Sequence, residues 1–200
     1  LQLLALDAAA ERSWVPVFDL KGDLNNSEGG LVGAAHSMGL EARRVDMSAT
    51  YAGTCDLLAT MDADDALIHA HSQLMLLISD ALRLAAHPVL MRHIAALIGD
   101  GEERSTAILI ERMRQDEDET ARRVAAELAA FQGDAIGRMI VGARQVGTLE
   151  ARPGIVLLQF PKLDLPPAGT PASEWTVMQR VSAAVVRGAL SWVTTSAKDP

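Results

Sequence analysis

Trp14-Val15-Pro16-Val17-Phe18-Asp19-Leu20-Lys21-Gly22-Asp23 is an apolar run that ends in an acidic, glycine-containing turn, and its reading decides the fold. Val15, Val17 and Phe18 are strand formers with little polar interruption, the pattern of a strand buried on both faces of a parallel sheet. Asp19 then closes the strand, and Lys21-Gly22-Asp23 makes the turn, with glycine suited to a positive φ. Upstream, Leu1 to Arg12 carries leucines at 1, 3, 4 and 6 and alanines at 8, 9 and 10 with no glycine or proline, so a helix is predicted there. Helix followed by strand is half of a βαβ unit.

A second apolar run, Gly154-Ile155-Val156-Leu157-Leu158-Gln159-Phe160, also ends in a turn, Pro161-Lys162-Leu163-Asp164-Leu165-Pro166-Pro167. A third, shorter strand is expected over Ala42 to Asp46. Between them the chain reads as helical. Asp62, Asp64 and Asp65 sit in the first turn of a helix that should run to about Ala86 and stop before Pro88. Val89 to Ile98 forms another, closed by Gly99, and Ser105 or Thr106 caps a third with Ile108, Leu109 and Met113 inward. Glu117 to Phe131 is a charged-faced helix, and Asp134 opens a further one. Glu174 to Thr194 is expected as a long helix with Trp175, Met178, Val181, Val185 and Leu190 facing inward.

The expectation is therefore an α/β fold, a partial parallel sheet with an inserted all-helical subdomain. Residues 1–55 and 147–200 form the sheet core and residues 56–146 the insertion. Two hundred residues with 49% hydrophobic content can bury one sizeable core, or a core plus a helical subdomain. The net charge of −8 argues against a broad nucleic-acid-binding face on this segment. One cysteine, Cys55, rules out an internal disulfide framework and fits a reducing compartment. No apolar stretch reads as a membrane span and no signal-peptide pattern opens the chain, so a cytoplasmic setting is expected.

Open α/β sheets bind ligands at the carboxyl ends of their strands, which makes Asp19, Lys21 and Asp23 the strongest candidate residues. The plain alternative is a tight turn with a local hydrogen bond. Ala35-His36-Ser37-Met38-Gly39 imitates the nucleophile elbow of α/β-hydrolases, yet Leu40 to Asp46 reads as a turn into a strand rather than the helix such an elbow needs. A hydrolase using Ser37, or a non-catalytic helical interaction module, are the alternatives that these residues leave open. His69 and His71 are two apart and point in different directions on a helix, and no H-E-x-x-H occurs, so no metal site is expected. Capping and solvated surface are the plain readings.

In this order of elements the chain resembles the P-loop ATPases of the HerA/FtsK group, and within it the transfer ATPases of conjugative, type IV secretion systems. Phe18-Asp19-Leu20-Lys21-Gly22-Asp23 is similar to that group's Asp-x-Lys-Gly-Asp/Glu signature, the helical middle to its insertion, and Ile155 to Pro167 to its later strand with a proline-rich exit. The resemblance covers nearly the whole chain. It implies ATP and Mg2+ as cofactors of a longer parent protein, with none held tightly by this segment. It also implies a homo-oligomer, a hexamer, with secretion or conjugation partners, at the inner face of the membrane through those partners. Arg138 and Arg144 are candidates for reaching a neighbouring subunit's nucleotide, helix surface being the plain alternative. No G-x-x-x-x-G-K-[ST] occurs, and no apolar strand ends in Asp-Glu, so Walker A and Walker B are both missing. The chain thus reads as a segment between those two motifs, with no catalytic residues of its own.

Overall fold

The computed structural model describes residues 14–20, 24, 30–47, 52–101, 103–142, 153–160 and 163–196, and these form two compact units. The expected helix over Leu1 to Arg12 lies outside the described residues, as do Lys21, Gly22, Asp23 and Arg144.

The first unit, residues 1–50, 149–163 and 196–200, is built on a three-stranded parallel sheet. Its strands are β1 (Trp14–Asp19), β2 (Ala42–Asp46) and β3 (Gly154–Gln159), in the order β1-β3-β2. All three fall where the sequence places them. The last-made strand enters between the first two, so every residue of β3 is buried, which its unbroken Ile-Val-Leu-Leu run requires. Helix α1 (Leu31–Ser37) connects β1 to β2 and lays Leu31 and Ala35 on Val17, Ile155 and Leu157. Phe18 of β1 and Phe160, the residue after β3, stack with ring centroids 6.1 Å apart. Gly154 takes φ +113° and approaches the Glu41 backbone too closely for any Cβ.

Among the described residues β1 is an edge strand of this sheet, and Pro16 suits that place. The N–H of Phe160 donates to the Asp19 carbonyl, so Asp19, Val17 and Val15 turn their backbone groups toward β3. The alternate residues, Pro16 among them, face the other side, where a proline lacks the N–H that a further ladder would use. A proline inside an otherwise apolar strand is therefore tolerated because it lies on the side away from β3.

The second unit, residues 51–148 and 164–195, is helical. It comprises α2 (Leu57–Thr60), α3 (Ala63–Leu77), α4 (Asp80–Gly99), α5 (Thr106–Arg114), α6 (Glu119–Ala130), α7 (Arg138–Val141) and α8 (Val177–Ser196). Residues 164–195, expected with the sheet, group with these helices. Three further expectations are corrected. The helix from Ala63 ends at Leu77 rather than Ala86, because Ser79 adopts an extended conformation (φ −62°, ψ 151°) and begins a new helix. Its N–H and hydroxyl both donate to the Glu127 carboxylate, at 2.8 and 2.7 Å, which fixes the break. Pro88 lies inside α4 instead of stopping it. The carbonyl that loses its donor belongs to Leu84, a residue 90% exposed, so water can replace the missing N–H. In α5 the inward residues are Leu109, Ile110 and Met113, with Ser105 as N-cap, while Ile108 is half-buried.

The buried face of α8 also differs from expectation. Val181 and Val185 point inward as the spacing predicts, but Met178 and Leu190 are 40% and 50% exposed. Small residues select the face instead. Ala184 and Gly188 let the helix close on Gln73, a fully buried amide whose Nε2 donates to the carbonyls of Cys55 and Ala184 at 2.7 and 2.9 Å and whose Oε1 accepts from Leu57 N–H. A Cβ on Gly188 would overlap the Cys55 carbonyl.

A second buried polar group ties α2 to α5. Asp56 caps α2 through Leu58 N–H (3.0 Å) and reaches 50 residues along the chain to accept from the Thr106 N–H (2.6 Å) and hydroxyl (2.8 Å). Burial pushes its carboxyl up to about 6, against the pull of those hydrogen bonds. Burial likewise raises the thiol of the neighbouring Cys55, with the Asp56 charge adding to it.

Helix α4, 20 residues with a mean hydropathy of 1.2, meets the length and composition of a membrane span, contrary to the expectation from sequence. One side of it, Leu82, Ala86, Leu90, Ile94 and Leu97, is buried in the helical unit. Its polar residues are paired: Asp80 with Arg83 and Arg180, Arg92 with Asp118, and His93 with Asp116. A hydrocarbon environment would penalise these groups, so α4 is read as a core helix.

Candidate functional site

The parallel register aligns Asp19 of β1, Gln159 of β3 and Asp46 of β2 in one row at the carboxyl edge of the sheet. Paired residues share a face, so the three side chains leave the sheet on the side covered by α1. Asp19 is 2% exposed. Its Oδ2 accepts from Leu24 N–H at 3.3 Å and lies 3.5 Å from Gln159 Nε2. The amide orientation follows from the carboxylate, since reversing it would set two acceptors against each other. Oε1 of Gln159 is buried and meets no hydrogen-bond partner among the described residues. An orphaned buried acceptor costs about 1–3 kcal/mol. Asp46 is exposed.

Of the sequence candidates, Asp19 is the last residue of β1, and Lys21 and Asp23 lie outside the described residues. Gln159 was missed, although it is the one polar side chain in its apolar run. Ser37 ends α1 rather than preceding a helix. Its hydroxyl donates to Ala34 O at 2.7 Å, and Gly39 (φ +72°) turns the chain into β2. That order, helix then strand, is the reverse of a nucleophile elbow, so Ser37 has no activating geometry. Arg138 opens α7 in the helical unit and is half-buried.

The histidines pair in a way that spacing does not reveal. His71 on α3 and His87 on α4 meet with Nε2 and Nδ1 3.0 Å apart and rings nearly perpendicular. Burial, reinforced by the charge of His87, holds the His71 imidazole below its ordinary range. Among the described residues no group of three His, Cys, Asp or Glu side chains is arranged to hold a metal ion.

The model of one family, described as an AAA-like domain, matches residues 4–198. The chain belongs to that family. No curated protein and no solved structure matches it. An AAA-like domain is an ATPase-type motor segment, and its family implies ATP and Mg2+ as the cofactors. The residues present fit one side of such a complex. Asp19 and the unpartnered Gln159 Oε1 lie at the sheet edge where α/β folds place nucleotides, and both are acceptors, suited to the water shell of magnesium. When bound, the metal offsets phosphate charge and polarises its oxygens. The loop that would cradle the phosphates is absent from these 200 residues.

Proposed function

We propose that this AAA-like domain is the stretch between Walker A and Walker B of a transfer ATPase of the HerA/FtsK group, of the conjugative, type IV secretion kind. The observation that carries the reading is the row of Asp19 and Gln159 at the carboxyl edge of a parallel sheet in a chain matched nearly end to end by an ATPase-type family. The order of elements supports the finer assignment: a strand ending in Asp-Leu-Lys-Gly-Asp, a helical unit, then a strand with a proline-rich exit. In the working motor the domain is part of a hexamer that moves DNA or protein at the cytoplasmic face of a membrane. The net charge of −8 assigns contact with nucleic acid to other surfaces.

Within that reading the chain's own contribution is positional. The sheet fixes Asp19 beside the nucleotide, while the phosphate grip and the water-activating carboxylate come with Walker A and Walker B. The 200 residues alone then hydrolyse no ATP and hold it weakly, because phosphoryl transfer depends on groups that position the phosphates.

The test is Asp19→Asn in a longer chain that carries both Walker motifs. The substitution keeps size and removes charge, so ATP turnover should fall at least tenfold while the melting midpoint stays within a few degrees of wild type. Unchanged turnover would remove Asp19 from the site. Robust turnover by residues 1–200 free of contaminating ATPase would sink the assignment between the two motifs.

A further inference from the structure

Gln159 closes a strand whose every residue is buried, and it is the only residue of that strand with a polar side chain. A leucine or methionine would fill the place with no hydrogen-bonding demand. The amide instead leaves Oε1 buried without a partner among the described residues, while Nε2 makes only a long contact to Asp19, at 3.5 Å, the outer limit of a hydrogen bond. Gln73 shows what a structural amide looks like in this protein, with Nε2 donating twice and Oε1 accepting once, all within 3.1 Å. Gln159 has the opposite character. It is buried, oriented and unsatisfied, at the edge where the ligand belongs.

We infer that Gln159 is a positioning residue of the nucleotide site. Its Nε2 steadies the Asp19 carboxylate, and its Oε1 accepts a hydrogen bond from the water shell of a bound magnesium nucleotide. That bond links the ligand to Asp19 through the amide. This inference rests on the ATPase reading above.

The experiment uses the longer chain with both Walker motifs, as wild type, Gln159→Met and Gln159→Leu. Three quantities are measured: the melting midpoint alone, its rise on adding Mg–ADP, and the Kd of a fluorescent Mg–ADP analogue. Neither substitution should lower the midpoint of the protein alone by more than a few degrees, since each removes an unsatisfied acceptor together with only a long contact to Asp19. The Kd should weaken about two- to tenfold, the scale of one hydrogen bond, and the nucleotide-induced rise should shrink accordingly. If both variants melt well below wild type, or if they bind Mg–ADP as tightly as wild type, Gln159 is structural and the inference falls. A wild-type protein that binds no Mg–ADP overturns the ATPase reading together with it, whereas wild-type binding that the variants share overturns this inference alone.

Discussion

Replacing Asp56 by alanine tests how the helical unit is held together. The carboxylate is fully buried and satisfies three donors on two segments: Leu58 N–H on α2, and the N–H and hydroxyl of Thr106 at the start of α5. Truncation leaves all three without a partner, at about 1–3 kcal/mol each when buried. Against this stands relief from burying a charge. A carboxyl raised from 3.8 to about 6 makes the ionised form cost the native state roughly 3 kcal/mol at neutral pH. The net loss at pH 7 should be about 2–5 kcal/mol, which for a protein of this size lowers the midpoint by roughly 5–15 °C.

The pH dependence separates the two contributions. Because the folded-state pKa lies above the unfolded one, the native state binds the proton more tightly between pH 4 and 6. Wild-type stability from this group is therefore fullest below pH 4 and is lost as pH rises through 6. Asp56→Ala lacks that titration. Urea denaturation followed by circular dichroism at pH 4, 5, 6 and 7 should show the gap between wild type and variant widening on acidification. A gap that narrows toward pH 4 would mean that the opposing hydrogen bonds outweigh burial and hold the carboxyl low, and the expected sign would be wrong.

The other predictions concern single contacts. Gly188→Ala should destabilise the helical unit by roughly 3 kcal/mol or more, read as a lower urea midpoint, because the new Cβ meets the Cys55 carbonyl and comes within 2.7 Å of Gln73 Nε2. The His71 imidazole is held low, so its neutral form is favoured in the native state and stability should fall as pH drops below about 6.5. An NMR titration that put His71 above the ordinary histidine range would contradict this. Ser37→Ala should change stability by no more than about 0.5 kcal/mol and leave ATP turnover in the longer chain intact, since it removes one exposed hydroxyl bond to Ala34 O. Any esterase activity lost with that hydroxyl would reverse the reading of Ser37.

The parts of this fold that sequence reveals are those governed by local pattern. Val15 to Asp19 and Ile155 to Gln159 are visible as strands because burial in a sheet demands apolar runs, while Ala42 to Asp46, with Arg43 and Arg44, is marked by the glycine turn before it. Helix termini were harder, since Pro88 is a stop signal only where the carbonyl it orphans cannot reach water, and Leu84 is exposed. The break at Ser79 depends on Glu127, a residue 48 positions away, and no local window contains it.

The site divides along the same line. Asp19 could be located because an acid at the end of a buried strand marks the carboxyl edge of a sheet whatever the other strands do. Gln159 could not, because its meaning depends on register: only when β3 enters between β1 and β2 does the amide come to lie beside Asp19. A one-residue slip would turn it to the opposite face and bring Leu158 beside the carboxylate. The polar residue in the Ile-Val-Leu-Leu-Gln run is thus a signal that carries no function until the strand order is known. Pro16 completes the argument, because it leaves a backbone position without a donor on the side of β1 away from β3. Asp19 therefore has a single strand neighbour among the described residues, β3, and the register with that strand is what sets Gln159 beside its carboxylate.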